Sequence, residues 1–250
     1  MTKFSANLGF LWTELSLPDA IRAAANAGFD AVECHWPFDT PPEDIRAALS
    51  ETGLPLLGLN TIRGNPGENG LAALPGREAE ARAAIDQALD YALQTGTKAV
   101  HVMAGFAQGI AAKATFTKNL TYACSQARAH KITILIEPLN SYDAPGYFLQ
   151  TSDQALAIIS QVNDPGLKLM FDCYHVQIME GNLTRRLAKC LPVIGHIQFA
   201  SVPDRRDPTQ GEINYRHIFS TIRQLGYDAP LGAEYKPGGP TGPTLKWLSW

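Results

Sequence analysis

Short apolar segments that each end in a polar residue recur along this chain, and they constrain its fold more than any other feature. The polar residues at their ends are Glu33, Asn60, His101, Glu137, Asp172, Gln198 and Glu234. The average interval is about 33 residues, the length of one strand plus one helix. With the segment "FSANLGF" as a further first strand, the pattern predicts eight βα units.

Segments with helical periodicity lie between the predicted strands. One begins after Ser16, a predicted N-cap, and ends at Gly28. A second, over 77–96, places apolar residues on one face and stops at Gly96. A third, over 151–162, begins with a capping Thr or Ser. Alternation of such helices with strands is typical of an α/β fold.

Eight βα units in 250 residues predict a (β/α)8 TIM barrel that occupies residues 1–250 as a single domain. A doubly wound open sheet is the alternative. Against it, no G-x-G-x-x-G follows the first strand, and no P-loop occurs in the sequence. The long irregular stretches 60–76, 104–114, 138–150 and 200–213 all follow strands. In a barrel these loops form the active face.

Composition excludes several functional classes. The net charge of −3, from 21 basic and 24 acidic residues, argues against a nucleic-acid partner. No apolar run reaches the length of a membrane span, and the N-terminal run is too short for a signal peptide. The four cysteines form no C-x-x-C pair and are expected to be free thiols in a reducing compartment. We therefore expect a cytoplasmic protein; whether it is a homo-oligomer is left open.

The stretch "KITILIEPLN" raises the question of why a buried strand ends in a carboxylate, Glu137. In a TIM barrel the carboxyl ends of all strands converge on one mouth. Asp172 and Glu234 would converge there too, and like charges in a confined site repel. A divalent cation, Mg²⁺ or Mn²⁺, would relieve that repulsion, with the Gln198 amide oxygen as a neutral fourth ligand.

Each ligand also has a purely structural interpretation. Glu137 could cap the next helix, although Pro138 and the long loop after it argue against that. Asp172 could cap the helix that follows it, and Gln198 could be a hydrogen-bonded interior residue. Glu234 could pair with Lys236. The metal interpretation is favoured because all four residues follow consecutive strands at the same position. His101, at another strand end, is a further candidate for contact with substrate.

Several motifs resemble one enzyme family along nearly the whole chain. They are "FSANLGFLWTE", "AGFDAVE", "IEPLN", "FDCYHVQIMEG", "GHIQFA", "GEINY" and "GAEYKP". Together they resemble the hydroxypyruvate isomerase family, which includes 2-oxo-tetronate isomerases, within the xylose isomerase-like TIM barrels. The resemblance implies the same metal site on Glu137, Asp172, Gln198 and Glu234, and makes Glu137 and Glu234 the acid/base pair. His175 and Arg205 match substrate-contacting positions of the wider superfamily.

The implied substrate is a small hydroxy-oxo acid, isomerised through an enediolate with metal assistance. Its carboxylate needs a cationic partner, for which Arg205 is the first candidate, with Lys236 and Arg63 in reserve. The roles of Glu212 and of these reserve cations stay undetermined. The alternatives are an epimerase, a metal-dependent dehydratase and a non-catalytic carbohydrate-binding barrel. Related ketose 3-epimerases usually have His in place of Gln198, which argues against the first.

Overall fold

A computed structural model of the chain, which describes residues 2–250, contains one sheet of eight parallel strands. The strands alternate with helices along the chain, as the sequence predicts. The strands are β1 (Phe4–Asn7), β2 (Ala31–Glu33), β3 (Gly58–Asn60), β4 (Ala99–His101), β5 (Thr133–Ile136), β6 (Leu167–Asp172), β7 (Ile194–Phe199) and β8 (Leu231–Ala233).

Helices pack around the sheet, and most connections carry one helix. The connection from β6 to β7 carries two helices, and an 18-residue helix follows β3. The helices are α1 (Leu17–Ala27), α2 (Pro42–Thr52), α3 (Glu78–Thr95), α4 (Gly109–Ala127), α5 (Ser152–Val162), α6 (Cys173–Met179), α7 (Leu183–Cys190) and α8 (Tyr215–Gln224). Among residues 2–250, no helix combines the length and hydropathy that a membrane span requires.

The sheet curves into a nearly closed barrel. Its strand order is β2-β1-β8-β7-β6-β5-β4-β3, so β2 and β3 form the two edges. A single parallel bridge between Val32 and Leu56 joins those edges. This topology confirms the predicted (β/α)8 TIM barrel and brings all eight strand ends to one mouth.

The predicted helix ends agree with the structure where capping chemistry specified them. Ser16 Oγ accepts a hydrogen bond from the backbone N–H of Asp19 at the start of α1. Gly28 and Gly96 adopt φ angles of 92° and 72° just after α1 and α3. This left-handed conformation ends a helix at little steric cost in glycine. Thr151 caps α5 through its side chain.

The predicted strand ends also agree, within one residue. Asp172 is the last residue of β6, and Gln198 is the penultimate residue of β7. Glu137 and Glu234 each come one residue after their strand. All four residues therefore lie at or directly after the carboxyl ends of barrel strands.

The C-terminal segment packs against the barrel in the place of a helix after β8. It forms a short 3-10 helix, Lys246–Ser249, whose Trp247 is completely buried. The Trp247 ring makes edge-on contacts with Phe4 and Phe199, at centroid distances of 4.9 and 5.2 Å. Trp247 thereby covers β1 and β7 with a large apolar side chain.

We expect Trp247→Ala to lower the free energy of unfolding by about 3–5 kcal/mol, because it leaves a cavity among aromatic rings. Trp250→Ala is the matched control, since Trp250 is partly exposed and stacks on Arg216. Its expected cost is about 1 kcal/mol or less. Chemical denaturation of both variants measures the difference. Equal destabilisation by the two substitutions would contradict the conclusion that the buried Trp247 side chain stabilises the barrel by covering β1 and β7.

Candidate active site

A cleft opens at the carboxyl ends of the strands. Its walls come from strand ends and from the loops that follow them. Among the residues that line it are His101, Glu137, His175, Arg205 and Glu234. Five of the predicted site residues thus face one cavity, and the other two, Asp172 and Gln198, are buried beside it.

Glu137, Asp172 and His175 form a compact buried group, with one possible ligand atom from each lying within 4.8 Å of the others. Asp172 is shared between two functions. Its Oδ1 accepts a hydrogen bond from the backbone N–H of Tyr174 and so caps α6. Its Oδ2 is buried and, like Glu137 Oε1, has no hydrogen-bond partner among residues 2–250. The capping interpretation of Asp172 and an active-site role are therefore compatible.

The hydrogen bonds around His175 fix its tautomer. Its Nδ1 accepts from the backbone N–H of Asn140 at 3.0 Å and lies 2.8 Å from Asn140 Nδ2. Burial lowers the pKa of His175 to about 3, so the ring is neutral and its proton lies on Nε2. Nε2 is 3.7 Å from Asp172 and 3.9 Å from Glu137. A protonated ring nitrogen has no free lone pair for a cation, so His175 suits hydrogen-bond donation better than metal ligation.

A hydrogen bond to Glu33 orients the side chain of Gln198. The Gln198 Nε2 group donates to Glu33 Oε1 at 2.7 Å. This contact specifies which end of the amide faces Glu33 and leaves Gln198 Oε1 buried without a partner among residues 2–250. The side chain therefore presents an oxygen, the atom that a hard cation requires.

Glu33 itself belongs to a polar network inside the barrel. His196 Nε2 lies 2.7 Å from Glu33 Oε2, and Asn7 Nδ2 donates to Oε1 at 3.1 Å. Burial opposes the charge on Glu33, but His196 and Gln198 outweigh burial and lower its pKa. Gly232 on β8 makes room for this network, since a Cβ there would lie 2.7 Å from each carboxylate oxygen of Glu33.

Glu234 is held by three side chains rather than by Lys236, which is exposed. Arg205 donates to Glu234 Oε2 at 2.7 Å. His35 Nε2 and Asn7 Nδ2 lie 2.9 and 3.0 Å from Oε1. Burial raises the pKa of Glu234, but Arg205 and the His35 hydrogen bond outweigh it and lower that pKa to about 2. The suggested Glu234–Lys236 pair is absent from residues 2–250.

Arg205 sits at the centre of the acidic groups. It has φ of 50°, a left-handed conformation that is uncommon outside glycine, and its guanidinium lies 4.8 Å from the Phe10 ring and 4.9 Å from the Tyr174 ring. Besides Glu234, it approaches Asp172 at 3.7 Å and Asp143 at 3.8 Å. Arg205 therefore balances several carboxylates, while its Nε stays buried without a partner among residues 2–250.

The other two carboxylic acids, Glu137 and Asp172, have raised pKa values. Burial, followed by repulsion from Glu234 and Asp172, raises the pKa of Glu137 well above its usual value. Burial and Glu234 raise the pKa of Asp172 to about 8. Both shifts express the cost of burying several negative charges together. The buried unpartnered oxygens of Glu137, Asp172 and Gln198 are donors of the kind that a hard divalent cation binds.

The other named residues occupy different positions. His101 lies beside Glu137, with 3.6 Å between His101 Nδ1 and Glu137 Oε2. Burial lowers the pKa of His101 to about 3, so it is a neutral group in the cleft. Glu212 is exposed and accepts a hydrogen bond from Gln177 at 3.1 Å, which orders the loop after β7.

Sequence reasoning missed two residues that line this cleft, His35 and Asp143, and a third, Asn7, that contacts Glu234. Asn7 is the polar residue at the end of β1, so the strand-end pattern that located the other residues could have located it. His35 comes two residues after Glu33, in a loop whose path the pattern does not specify. A Cβ at Gly9 would lie 2.1 Å from His35 Nδ1, so glycine is needed beside it. Asp143 lies in a long loop and is held by Tyr174 and Asn140.

Known proteins are similar to this chain in both sequence and fold. Residues 21–249 match the family described as xylose isomerase-like TIM barrel. The 2-oxo-tetronate isomerase of Cupriavidus necator is 43% identical over 99% of this chain and 98% of its own. The hydroxypyruvate isomerase of Escherichia coli is 37% identical over 99% of this chain and 98% of its own.

A solved structure shares the architecture closely. It is the crystal structure of a protein described as AP endonuclease, family 2, from Brucella melitensis. The TM-score is 0.96 at 39% identity, over 100% of this chain and 98% of that chain. With the sequence relatives, this match leads to one conclusion: the chain belongs to the xylose isomerase-like TIM barrel family and, within it, to the hydroxypyruvate isomerase family, whose members are enzymes of the isomerase class.

Proposed function

We propose that this chain is a metal-dependent isomerase that exchanges the aldehyde and ketone positions of a small hydroxy-oxo acid. The reaction is hydroxypyruvate to tartronate semialdehyde, or 2-oxo-tetronate to 3-oxo-tetronate; the two starting compounds appear in the names of the relatives. One observation carries the proposal: three buried oxygens lack partners, one on Glu137 in the cleft, which Glu234 also lines, and the others on Asp172 and Gln198 beside it.

The proposed ligands of the cation are Glu137, Asp172, Gln198 and Glu234, and the cation is Mg²⁺ or Mn²⁺. When bound, such a cation supplies Lewis acidity that polarises a carbonyl and stabilises negative charge on neighbouring oxygens. The oxygen-rich donor set supports this choice. The electrostatic repulsion that raises the pKa of Glu137 and Asp172 supports it independently.

Proton transfer is assigned to the two glutamates. For hydroxypyruvate, one glutamate removes a proton from the hydroxymethyl carbon, which leaves an enediolate. The other delivers a proton to the former carbonyl carbon, and the hydroxyl proton is transferred to the neighbouring oxygen. Their unequal surroundings suit opposite roles, since Glu137 has a free Oε1 whereas Glu234 has three partners.

Three side chains are assigned to substrate binding. His175 presents Nε2–H towards the two carboxylates and can donate it to a substrate oxygen. Arg205 can donate through its unpartnered Nε. His101, a neutral side chain beside Glu137, can contact a substrate oxygen or orient that glutamate.

The proposal extends to the organisation of the chain and its location. We assign residues 1–250 to one domain, because all eight strands belong to one sheet. We place the protein in the cytoplasm, because the four cysteines are free and buried, as expected in a reducing compartment.

Glu137→Gln and Glu234→Gln are each expected to reduce turnover by about 10²- to 10⁴-fold, because each removes one proton-transfer group. The assay follows hydroxypyruvate and 2-oxo-tetronate by proton NMR in deuterated water. Deuterium uptake with a new aldehyde or 3-oxo product identifies an isomerase, whereas a stereoisomer of the substrate would identify an epimerase.

The control for both variants is Glu14→Gln, which changes an exposed glutamate in the loop after β1 and should retain full turnover. Circular dichroism checks that each variant is folded. Near-normal turnover in either Glu137→Gln or Glu234→Gln would remove that residue from the mechanism.

Removal of divalent metal with a chelator is expected to abolish deuterium exchange, because the buried carboxylates would lose the charge that balances them. Addition of Mg²⁺ or Mn²⁺ should restore it. Full exchange by metal-free protein would rule out the proposed Lewis-acid role.

Glu33→Gln is expected to weaken Mn²⁺ binding by about 10- to 100-fold, measured by isothermal titration calorimetry. A glutamine at this position has one acceptor oxygen for the N–H groups of Gln198, His196 and Asn7. Gln198 would then lose the contact that directs its oxygen into the site. Glu180→Gln is the control, a glutamate with a buried side chain that pairs with Arg186 in the helical layer. An unchanged Mn²⁺ affinity in Glu33→Gln would contradict the positioning role.

A further inference from the structure

We infer that Arg63, stacked on Trp36 at the rim of the cleft, receives the carboxylate of the substrate and makes this site selective for oxo acids over neutral ketoses. The inference rests on the proposed function and adds the residue that selects the substrate class. It differs from the expectation for Arg205, which the structure places among the acidic groups of the site.

The charges in the cleft favour this assignment. Among residues 2–250, two arginines line it, Arg63 and Arg205, alongside the carboxylates of Glu137, Asp143 and Glu234. Arg205 already has Glu234, Asp172 and Asp143 within 4.0 Å. A substrate carboxylate brought to Arg205 would meet these three negative charges as well, and the repulsion would offset the attraction.

Arg63 is not paired with acidic residues in this way. It forms no ion pair with any carboxylate of residues 2–250, and Glu68, the acid nearest to it in sequence, is paired with Arg77. Glu68 also accepts a hydrogen bond from the backbone N–H of Asn65 at 2.7 Å. Arg63 therefore supplies the one cleft guanidinium among the described residues whose charge is not already balanced by a nearby acid.

The position of Arg63 is defined although the residue is exposed. Its guanidinium carbon lies 4.0 Å from the centre of the Trp36 ring. Trp36 is anchored in turn by a hydrogen bond from its Nε1 to the carbonyl oxygen of Thr61 at 3.0 Å. Stacking on an aromatic face leaves the edge N–H groups of the guanidinium free for two parallel hydrogen bonds to a carboxylate.

The end of β3 and the loop after it add neutral polar groups to the cleft. Asn60 and Asn69 line it together with Arg63, whereas Glu137 and Glu234 follow β5 and β8. A substrate with its carboxylate at Arg63 would thus direct its carbonyl and hydroxyl carbons towards the glutamates. A neutral ketose carries a hydroxymethyl group in place of the carboxylate and would form no ion pair with Arg63.

Arg63→Met tests the inference with two compounds that differ only in this group, hydroxypyruvate and dihydroxyacetone. Deuterium exchange in deuterated water gives kcat/KM for each. The expected result is a fall of about 10- to 100-fold for hydroxypyruvate, mainly through KM, with dihydroxyacetone unchanged. Arg63→Lys, which keeps the charge without the fork geometry, should recover part of the loss.

Arg82→Met is the matched control, since Arg82 also stacks on an aromatic ring, that of Tyr122, and lies on α3 away from the cleft. It should leave both values unchanged. An unchanged kcat/KM for hydroxypyruvate in Arg63→Met, or an equal fall for both compounds, would overturn the inference and leave the isomerase intact. Absence of exchange in the wild-type protein with both hydroxypyruvate and 2-oxo-tetronate would overturn the proposed function and the inference together.

Discussion

The burial of several carboxylates at one barrel mouth is the constraint on which the rest of this site depends. Glu137, Asp172 and Glu234 come from separate strands, yet all are buried within reach of Arg205 or of one another. One arginine cannot balance three acids, and the raised pKa values of Glu137 and Asp172 express the deficit. The proposed divalent cation would supply the missing positive charge, and the unpartnered oxygens are of the kind that bind such a cation.

A second polar layer beneath the mouth supports that arrangement. Glu33 joins Gln198 and His196 on β7 to Asn7 on β1. Asn7 also reaches Glu234, so the inner network and the acidic cleft share a side chain. The strands and strand ends of the barrel therefore position both the proposed ligands and the groups that orient them.

The sequence was sufficient to predict what local chemistry determines. Helix ends at Ser16 and Gly28 follow from capping, and the strand ends follow from hydrophobic patterning. It could not predict that Glu33 orients Gln198, because that contact joins residues 165 positions apart and exists only once the barrel closes. Nor could it predict the surroundings of Arg205, which depend on a left-handed backbone and two flanking rings. His35 and Asp143 lie in loops without periodicity and were missed for the same reason.

The most direct test of the central claim is anomalous diffraction at the manganese edge from a crystal of the protein grown with Mn²⁺. The account predicts one strong peak within coordination distance of oxygens from Glu137, Asp172, Gln198 and Glu234, with His175 outside the ligand set. A peak ligated by His175 Nε2 in place of Gln198 and Glu234 would contradict the assigned ligands. No peak at the barrel mouth would contradict the claim that a cation balances these carboxylates.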